Sequence, residues 1–256
     1  MALTEIPIEL SSTPSIVDGG NATAITIDSS ENVTLAGSLT ATSLHAHAST
    51  NTAILIEGDT GAGATFINFA DGVPNTKAQI SGAKVGGSGG RLIFSTNNSS
   101  GTLTEHMRIE AAGQVTMPLQ PAFSVVPATT QSNIAINSYV TIVLGSETFD
   151  VGANFASNTF TAPVTGKYQF NAFIEVENVD IDSVYTFLHM QTSNRTYRSI
   201  IAPPSYDADL SYLTFPLSVL ADMDAGDTAY LQMYQGGGAA QMDITASGRF
   251  SGYLVA

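Results

Sequence analysis

The sequence predicts an all-β fold, and three observations lead to that prediction. Apolar and polar residues alternate with a period of two from Lys167 onward, which is the pattern of a strand with one buried face. Short strand-like segments recur between turns that contain glycine or proline. No segment keeps a helical period, and charged residues make up only 12% of the 256-residue chain. Such a low content of charged residues is typical of β-rich fibrous proteins.

The clearest predicted strand begins at Lys167. One face carries five apolar side chains, Tyr168, Phe170, Ala172, Ile174 and Val176. The opposite face carries mainly polar residues, with Phe173 as the exception. Pro163 and Gly166 come just before the strand and supply a turn, because proline presets φ and glycine allows a positive φ.

The end of the chain predicts a further strand and the turn that precedes it. Phe250, Gly252 and Leu254 share one face of the last strand. A glycine at the middle position lets neighbouring groups approach closely. The sequence "AGD" at residues 225–227 predicts a tight turn before the strand-like segment "TAYLQMY". These elements and the segments between them predict a sandwich of ~8 strands or more.

The same residues carry a family resemblance. In order along the chain stand Phe149, Gly152, Phe155, Phe160, Ala162, Pro163, Gly166, Tyr168 and Phe170, then the "AGD" turn and "FSGYL" at residues 250–254. This series resembles the C1q-like globular head, a relative of the tumour-necrosis-factor jelly roll. The resemblance covers residues 119–256. It implies a jelly-roll sandwich that assembles as a homotrimer, binds partners and performs no chemistry.

The composition excludes several classes of function. The formal net charge of −14 argues against a nucleic-acid partner, because binding to phosphates requires clustered Lys and Arg. The chain has no cysteine, so disulfides and thiolate zinc sites are excluded. No stretch approaches the ~20 apolar residues of a membrane span, and we expect no membrane insertion. A secreted animal protein of the C1q-like kind would be expected to show a signal peptide, cysteines or a Gly-X-Y stalk, and this sequence shows none.

The N-terminal half resembles the shafts of bacteriophage tail fibres and spikes. The resemblance rests on residues 20–44 and 91–118. Within them, "ITIDSSENVTL" from Ile25 aligns without a gap with "MRIEAAGQVTM" from Met107. Each segment predicts a strand, a small polar turn and a second strand. A single unit of this kind is too small to bury its own apolar residues. Three chains wrapped around a common axis would bury them; two ordinary hairpins with similar turns are the alternative.

The predicted organisation has four parts. Residues 1–19 are expected to attach the chain to a virion, and residues 20–50 to form a shaft. Residues 51–118 are expected to form a middle β domain with a second shaft element, and residues 119–256 the head. In the middle part, "KVGGSGGRLIF" predicts a long hairpin loop. It does not predict a phosphate-binding loop, because it leads into another strand instead of a helix.

The sequence contains no complete catalytic set, so we predict that the protein is not an enzyme. A serine nucleophile needs a histidine and an orienting acid, and no Gly-x-Ser-x-Gly elbow is present. Paired carboxylates such as Glu175 and Glu177 hydrolyse glycosides only when they face each other across a sugar cleft. Spikes that do so usually carry long β-helices, for which this chain has no room.

Two metal sites are candidates. His45 and His47 share one face of a predicted strand, so a threefold shaft would direct six imidazoles to its axis, an arrangement similar to the His-x-His sets that bind iron in some phage spikes. Acidic loops of the head are candidates for calcium, as in some C1q-like heads, through Asp180, Asp182, Asp207 and Asp209. The alternatives are polar histidines at the end of a shaft segment and solvated loops. The segment "DMDAGD" at residues 222–227 fails the EF-hand template and predicts a solvated turn.

These features predict a homotrimeric bacteriophage virion protein, foremost a tail fibre that attaches to the host cell. The N-terminus would bind other tail or capsid proteins. Loops of the head would bind a cell-surface glycan or protein, because loops on a rigid sandwich commonly carry binding. Tyrosines near these loops are equally suited to packing and are not assigned to a site: Tyr185, Tyr197, Tyr206 and Tyr212. The alternatives are a capsid decoration or head fibre without a receptor-binding role, and an enzyme that trims surface glycans.

Overall fold

The computed structural model describes residues 15–17, 23–27, 33–35, 65–70, 76–87 and 89–256. Within these residues the chain forms nineteen strands and one short 3-10 helix, which confirms the predicted all-β class. The chain divides into two units, Met1–Ile56 and Glu57–Ala256. Among the described residues, no helix has the length and apolar character needed to cross a membrane.

The first unit contains a three-stranded antiparallel sheet. Its strands are β1 (Ser15–Val17), β2 (Thr23–Ile27) and β3 (Val33–Leu35), paired in the order β1-β2-β3. Strands β2 and β3 form a hairpin in which Ile27 lies opposite Val33. Val33 is 62% exposed and Leu35 is 39% exposed. The described part of this sheet therefore leaves apolar side chains in contact with water.

The second unit begins with a five-stranded antiparallel sheet of consecutive strands. They are β4 (Thr65–Ala70), β5 (Thr76–Val85), β6 (Gly89–Asn97), β7 (Leu103–Ile109) and β8 (Val115–Thr116). Strands β7 and β8 pair with Ile109 opposite Val115. This is the same register as Ile27 opposite Val33 in the β2–β3 hairpin. The two aligned sequence segments, from Ile25 and from Met107, thus contain two hairpins of equal register.

The glycine-rich segment between β5 and β6 forms a tight connection. Val85 at the end of β5 pairs directly with Gly89 at the start of β6. Gly86 takes a positive φ of 62°, which glycine adopts without steric cost. The predicted hairpin is confirmed. Its loop is short, contrary to the prediction, because β6 begins within the glycine-rich segment itself.

The five-stranded sheet buries little apolar surface. Among its described residues, the buried ones are Ser81 and Ser95. Phe66, Ile67 and Phe69 on β4 are between 45% and 52% exposed. Because successive side chains of a strand point to opposite faces, both faces of this sheet carry exposed apolar groups.

The head is a sandwich of two sheets. Its strands are β9 (Ala122–Val126), β10 (Tyr139–Thr141), β11 (Ser146–Val151), β12 (Phe155–Ala156), β13 (Thr159–Thr161), β14 (Gly166–Val179), β15 (Ser183–Thr192), β16 (Thr196–Ile201), β17 (Leu210–Met223), β18 (Thr228–Gly237) and β19 (Asp243–Leu254). The front sheet has the order β11-β9-β19-β14-β17. The back sheet has the order β12-β13-β18-β15-β16, and β10 also pairs with β18. The chain crosses repeatedly between the sheets, as in a jelly roll, and the 3-10 helix Pro203–Ser205 lies between β16 and β17.

Strand β14 has the alternation that the sequence predicts. Tyr168, Phe170 and Ile174 on its inner side are fully buried. Phe173 on the opposite side is 45% exposed. Both edges of β14 are paired, one with β17 and the other with β19. The strand is therefore a central element of the front sheet, with one side in the core and the other facing outward.

An aromatic cluster lies at the centre of the core between the two sheets. The ring of Phe123 stacks on that of Phe160, with centroids 4.8 Å apart, and meets the edge of Phe250 at 5.0 Å. Gly252 lies against this cluster, where an added Cβ would be 2.5 Å from the ring of Phe170 and 2.8 Å from that of Phe123. The close packing that the sequence predicts at this glycine is confirmed.

The predicted turn at residues 225–227 joins β17 to β18. Gly226 has a φ of 93°, the left-handed conformation that favours glycine. The Asp227 carboxylate accepts hydrogen bonds from the backbone N–H of Asp224 at 2.9 Å and from the side-chain amide of Asn194 at 2.7 Å. The carboxylate therefore stabilises the turn itself.

Candidate functional site

The solvent side of the front sheet, called the front face below, carries four large apolar side chains. Leu220 is 59% exposed, Phe149 and Tyr253 are each 49% exposed, and Phe173 is 45% exposed. They come from four strands, β17, β11, β19 and β14. Strand pairing places Gln169 between Leu220 and Tyr253. The exposed apolar groups therefore alternate with polar ones across this face.

A ladder of polar side chains runs through the front face. Gln169 Nε2 donates to Ser218 Oγ at 3.0 Å, and Ser218 Oγ donates to Asn171 Oδ1 at 2.9 Å. Ser251 lies opposite Asn171 on one side and Ser124 on the other. The hydroxyl of Ser124 is buried and has no hydrogen-bond partner among the described residues. The ladder gives the face a fixed pattern of donors and acceptors.

The solvent side of the back sheet has a different character. On β15, Leu188 and Met190 belong to the core between the sheets. Phe187 and His189 are also buried, 3% and 7% exposed, but they lie outside that core. They line cavities on the solvent side of the sheet together with side chains of β10, β16 and β18. Strand β15 therefore buries residues on both of its sides.

Aromatic rings form a layer on this side of the back sheet. Phe187 stacks on Tyr234 with centroids 4.9 Å apart and planes 3° from parallel. The ring of Tyr185 is within 5.9 Å of both and nearly parallel to them. An added Cβ on Gly236 would lie 3.0 Å from the Tyr185 ring. The absence of a side chain at this glycine therefore leaves room for the ring. Tyr139 completes the layer, 5.0 Å from Tyr234.

His189 lies beside this layer without a hydrogen-bond partner. Both ring nitrogens are buried, and neither makes a regular hydrogen bond to a described residue. Burial lowers the pKa of the imidazole, and the positive charge of Arg198 lowers it further. The side chain of Gln232 lies close enough to oppose that shift, but not with the geometry of a regular hydrogen bond. The imidazole is therefore neutral near pH 7.

Two adjoining cavities of about 550 and 360 Å³ share three lining residues, Tyr139, Phe187 and Arg198. We call them together the back groove, lined chiefly by Tyr139, Tyr185, Phe187, His189, Arg198 and Tyr234. The guanidinium carbon of Arg198 lies 5.7 Å from the centroid of the Phe187 ring, within cation–π distance. Arg198 forms no ion pair with any residue that the structure describes.

The comparison with protein families decides the identity of the sandwich. A model described as the C1q domain matches residues 122–255, more than half of the chain. The chain belongs to the C1q domain family. Among solved structures, the globular domain of zebrafish complement 1qA protein is 18% identical, with a TM-score of 0.40 and coverage of 54% of this chain and 98% of that one. Murine APRIL at pH 8.0 is 12% identical, with a TM-score of 0.40 and coverage of 53% and 99%. The comparison with curated proteins gives no match.

Membership of the C1q family bears on the predicted activity. C1q domains commonly form trimers and are typically non-enzymatic binding or structural domains. The matched residues run from β9 to the end of β19. The front face and the back groove are therefore both parts of the C1q domain.

The predicted iron ligands, His45 and His47, lie outside the described residues. The iron site therefore stays a prediction. The other two histidines are described. His106 is exposed on β7, and His189 lines the back groove.

The predicted calcium loops contain carboxylates that bind the backbone. Asp180 Oδ2 accepts hydrogen bonds from the N–H groups of Ala239 at 2.6 Å and Ala240 at 2.7 Å. The hydrogen bond from Ala240 contributes most to a pKa of Asp180 below its usual value. Asp209 accepts one from Ile181 at 2.9 Å, while Asp182 and Asp207 are exposed. Among the described residues, no three acidic or histidine side chains are grouped to hold a metal, and calcium stays a prediction.

Four tyrosines near the predicted head loops have no predicted role, and they occupy different surroundings in the C1q domain. Tyr185 lines the back groove, and Tyr197 packs partly buried against the core. Tyr206 and Tyr212 are 41% and 64% exposed.

Five residues of the back groove were missed: Tyr139, Phe187, His189, Arg198 and Tyr234. The available signal is the segment "YTFLHMQ" from Tyr185, in which every second residue is aromatic or polar. This signal is weak because Phe187 on one side of the strand and Leu188 and Met190 on the other are all apolar. The sequence therefore does not show which side of the strand is exposed.

Proposed function

We propose that this chain is a homotrimeric bacteriophage tail fibre that attaches the virion to its host cell through the C1q domain. The main observation in support of the trimer is the front face. It exposes 45% to 59% of four large apolar side chains, Leu220, Phe149, Tyr253 and Phe173. Large exposed apolar patches mark interaction sites in soluble proteins. In this proposal, two further copies of the chain cover the front face.

The polar groups of the front face suit a specific interface. Interfaces combine apolar contacts with hydrogen bonds and a polar rim. The ladder through Gln169, Asn171 and Ser218 supplies such groups in fixed positions. At the edge of the sheet, the ammonium group of Lys167 pairs with Asp222. This pattern supports a defined trimer over non-specific association.

The N-terminal sheets support the same assembly. Val33 on β3 and Val115 on β8 are 62% and 55% exposed at equivalent positions of two hairpins. Phe69 on β4 is 52% exposed. An intertwined shaft made from residues 20–50 and 51–118 would bury these side chains between chains. The resemblance of residues 20–44 and 91–118 to phage fibre shafts adds the proposed location on a virion.

The proposal assigns a role to each end of the chain. Residues 1–19 bind other tail or capsid proteins. The C1q domain points away from the particle and binds a glycan or protein on the host surface. Three domains on one fibre and several fibres on one virion raise the effective affinity through multivalency, so weak binding by one domain is sufficient.

Sedimentation equilibrium of the full chain tests the assembly, and adsorption tests the attachment. We expect a mass of three chains at micromolar concentration, with no folded monomer. We also expect beads coated with residues 119–256 to label host cells and to compete with virions for adsorption. A stable folded monomer contradicts the assembly. Clustered heads that neither label cells nor compete contradict attachment and favour a capsid decoration or head fibre.

The histidine pair of the shaft has its own test. If His45 and His47 form an axial site in the trimer, the purified protein will contain about one iron or other transition-metal ion per three chains. A variant with both His45→Ala and His47→Ala will lose this metal and melt at a lower temperature. A metal-free protein after purification without chelators contradicts the site.

A further inference from the structure

The back groove contains a buried polar side chain that makes no regular hydrogen bond to the described chain. His189 is 7% exposed, and neither of its nitrogens makes a regular hydrogen bond. Buried polar groups in folded proteins are nearly always paired, and an unpaired one indicates a further binding partner or a functional role. A neutral imidazole has one N–H donor and one nitrogen acceptor. A hydroxyl group donates and accepts as well, so sugar hydroxyls match both nitrogens.

The rings beside His189 supply an apolar surface of the kind that sugars contact. Tyr185, Phe187 and Tyr234 have planes within 11° of one another. The adjoining cavities, about 550 and 360 Å³, lie in the size range of small-ligand sites. Aromatic walls with a few placed polar groups are the usual composition of such sites. The side-chain amides of Gln191 and Gln232 line the same cavity and provide further donors and acceptors.

The charge of the back groove is opposite to that of the chain. The whole sequence has 22 acidic and 8 basic residues. Nevertheless, no acidic side chain lines either cavity in the described structure, and Arg198 lines both. Its guanidinium lies over Phe187 and has no ion-pair partner among the described residues. A guanidinium in this state favours a carboxylate, which it binds through two parallel hydrogen bonds.

We propose that the back groove binds an acidic saccharide, with its ring on the aromatic layer, a hydroxyl on His189 and its carboxylate on Arg198. This proposal deepens the attachment function, on which it rests for its biological setting, by naming the class of ligand. It also places recognition on the solvent side of the back sheet, away from the front face that the trimer covers. The loops at the end of the sandwich are not required for it.

In this proposal, Tyr139 controls access to the imidazole. Its ring lies 5.2 Å from that of His189, and both residues line the larger cavity. Tyr139 belongs to a strand of only three residues, and it is 55% exposed. Rotation of this exposed side chain opens His189 to the ligand, and the tyrosine ring then packs on the bound sugar.

The test uses the full chain and paired saccharides. Immobilised fragments of polygalacturonate and polyglucuronate, and sialylated lactose, are compared with neutral galactan fragments, cellulose fragments and lactose. We expect at least one acidic saccharide to bind about tenfold more tightly than its neutral counterpart, because a hydrogen-bonded carboxylate–guanidinium pair is lost with the charge. No binding to any acidic member, or equal binding to both members of each pair, overturns the proposal.

Two variants with matched controls locate the site. Arg198→Gln is expected to weaken binding of the acidic saccharide about tenfold, while Arg195→Gln, the same change in the exposed β15–β16 turn, leaves it unchanged. Tyr139→Ala is expected to weaken binding, while Tyr206→Ala does not. Equal effects of variant and control contradict a site in the back groove.

His189→Phe separates binding from folding. The substitution keeps a ring of similar size and removes two unpaired buried nitrogens, so we expect the melting temperature to stay the same or rise. We expect binding to fall about tenfold or more. Unchanged binding with a raised melting temperature shows a purely structural histidine and overturns the proposal. Host adsorption that persists when all groove variants lose saccharide binding contradicts only this inference. Saccharide binding by a protein that does not adsorb contradicts only the attachment function.

Discussion

The C1q domain and the five-stranded sheet before it differ in how far they bury their apolar residues. In the C1q domain, Phe123, Tyr168 and Phe250 are fully buried between two sheets of the same chain. In the five-stranded sheet, the buried residues among those described are Ser81 and Ser95, while Phe66 and Phe69 are about half exposed. One region therefore has a core of its own. The other has strands and hydrogen-bonded pairing without a core.

This difference shows that pairing of strands and burial of side chains are separate sources of stability. A single sheet satisfies backbone hydrogen bonds but places both of its faces in water. Burial of apolar area is the dominant favourable term in folding, and the five-stranded sheet obtains little of it from the described chain. We therefore expect the C1q domain to fold by itself and the N-terminal sheets to depend on other copies.

The largest expected effect comes from filling the glycine position in the core of the C1q domain. Gly252→Val places a Cβ 2.5 Å from Phe170 and 2.8 Å from Phe123, and rings packed on both sides have no room to move. We expect a loss of about 3 kcal/mol or more, measured by urea unfolding of residues 119–256.

Gly90→Val on β6 is the matched control for this change. The nearest non-adjacent atom to an added Cβ at Gly90 is 4.0 Å away, so we expect the full chain to tolerate the substitution. Comparable losses from both substitutions would contradict the distinction between a packed core and an uncovered sheet.

A smaller effect on folding, but a clear one on assembly, is expected from charges on the front face. Phe173→Asp combined with Leu220→Asp places two carboxylates where chains meet in the proposed trimer. Both side chains are 45% or more exposed in the single chain, so the domain itself will remain folded. In residues 119–256, which lack the shaft, we expect sedimentation to show trimers for the parent sequence and monomers for this variant. We expect circular dichroism to retain the β-sheet spectrum.

Val184→Asp is the control, since Val184 is 63% exposed on β15 of the back sheet. This variant should keep the mass of the parent protein. If the front-face variant also keeps it, the front face is not the interface between copies.

The smallest effect concerns pH and the back groove. Burial and the charge of Arg198 lower the pKa of His189 below its ordinary value of 6.5. The unfolded chain therefore takes up the proton first as pH falls, and its stabilisation lowers the free energy of unfolding. The stability of residues 119–256 should be constant just above pH 6.5 and fall below it. His189→Phe, which removes the only histidine of this segment, should flatten the curve between about pH 6.5 and pH 5. An identical curve for both proteins would contradict a depressed pKa.

The sequence predicts the head better than the groove, and the reason is physical. The alternation along β14 lies within fourteen consecutive residues, and burial on one side makes it visible as a period of two. The back groove joins β10, β15, β16 and β18, which are far apart in the chain. The contact of His189 with Arg198 and Gln232 depends on the registers of two strand pairs. A period of two does not determine such registers.

Hydrogen exchange on the full-length Phe173→Asp, Leu220→Asp variant, diluted until its chains separate, tests the comparison most directly. Exchange reports the free energy needed to open each part of a structure. We expect amides of β14 to remain protected in the monomer, because the core of the C1q domain lies within one chain. We expect amides of β5 and β6 to lose most of the protection that they have in the parent trimer. Equal protection of β5 and β6 in monomer and trimer would contradict the claim that other copies complete the five-stranded sheet.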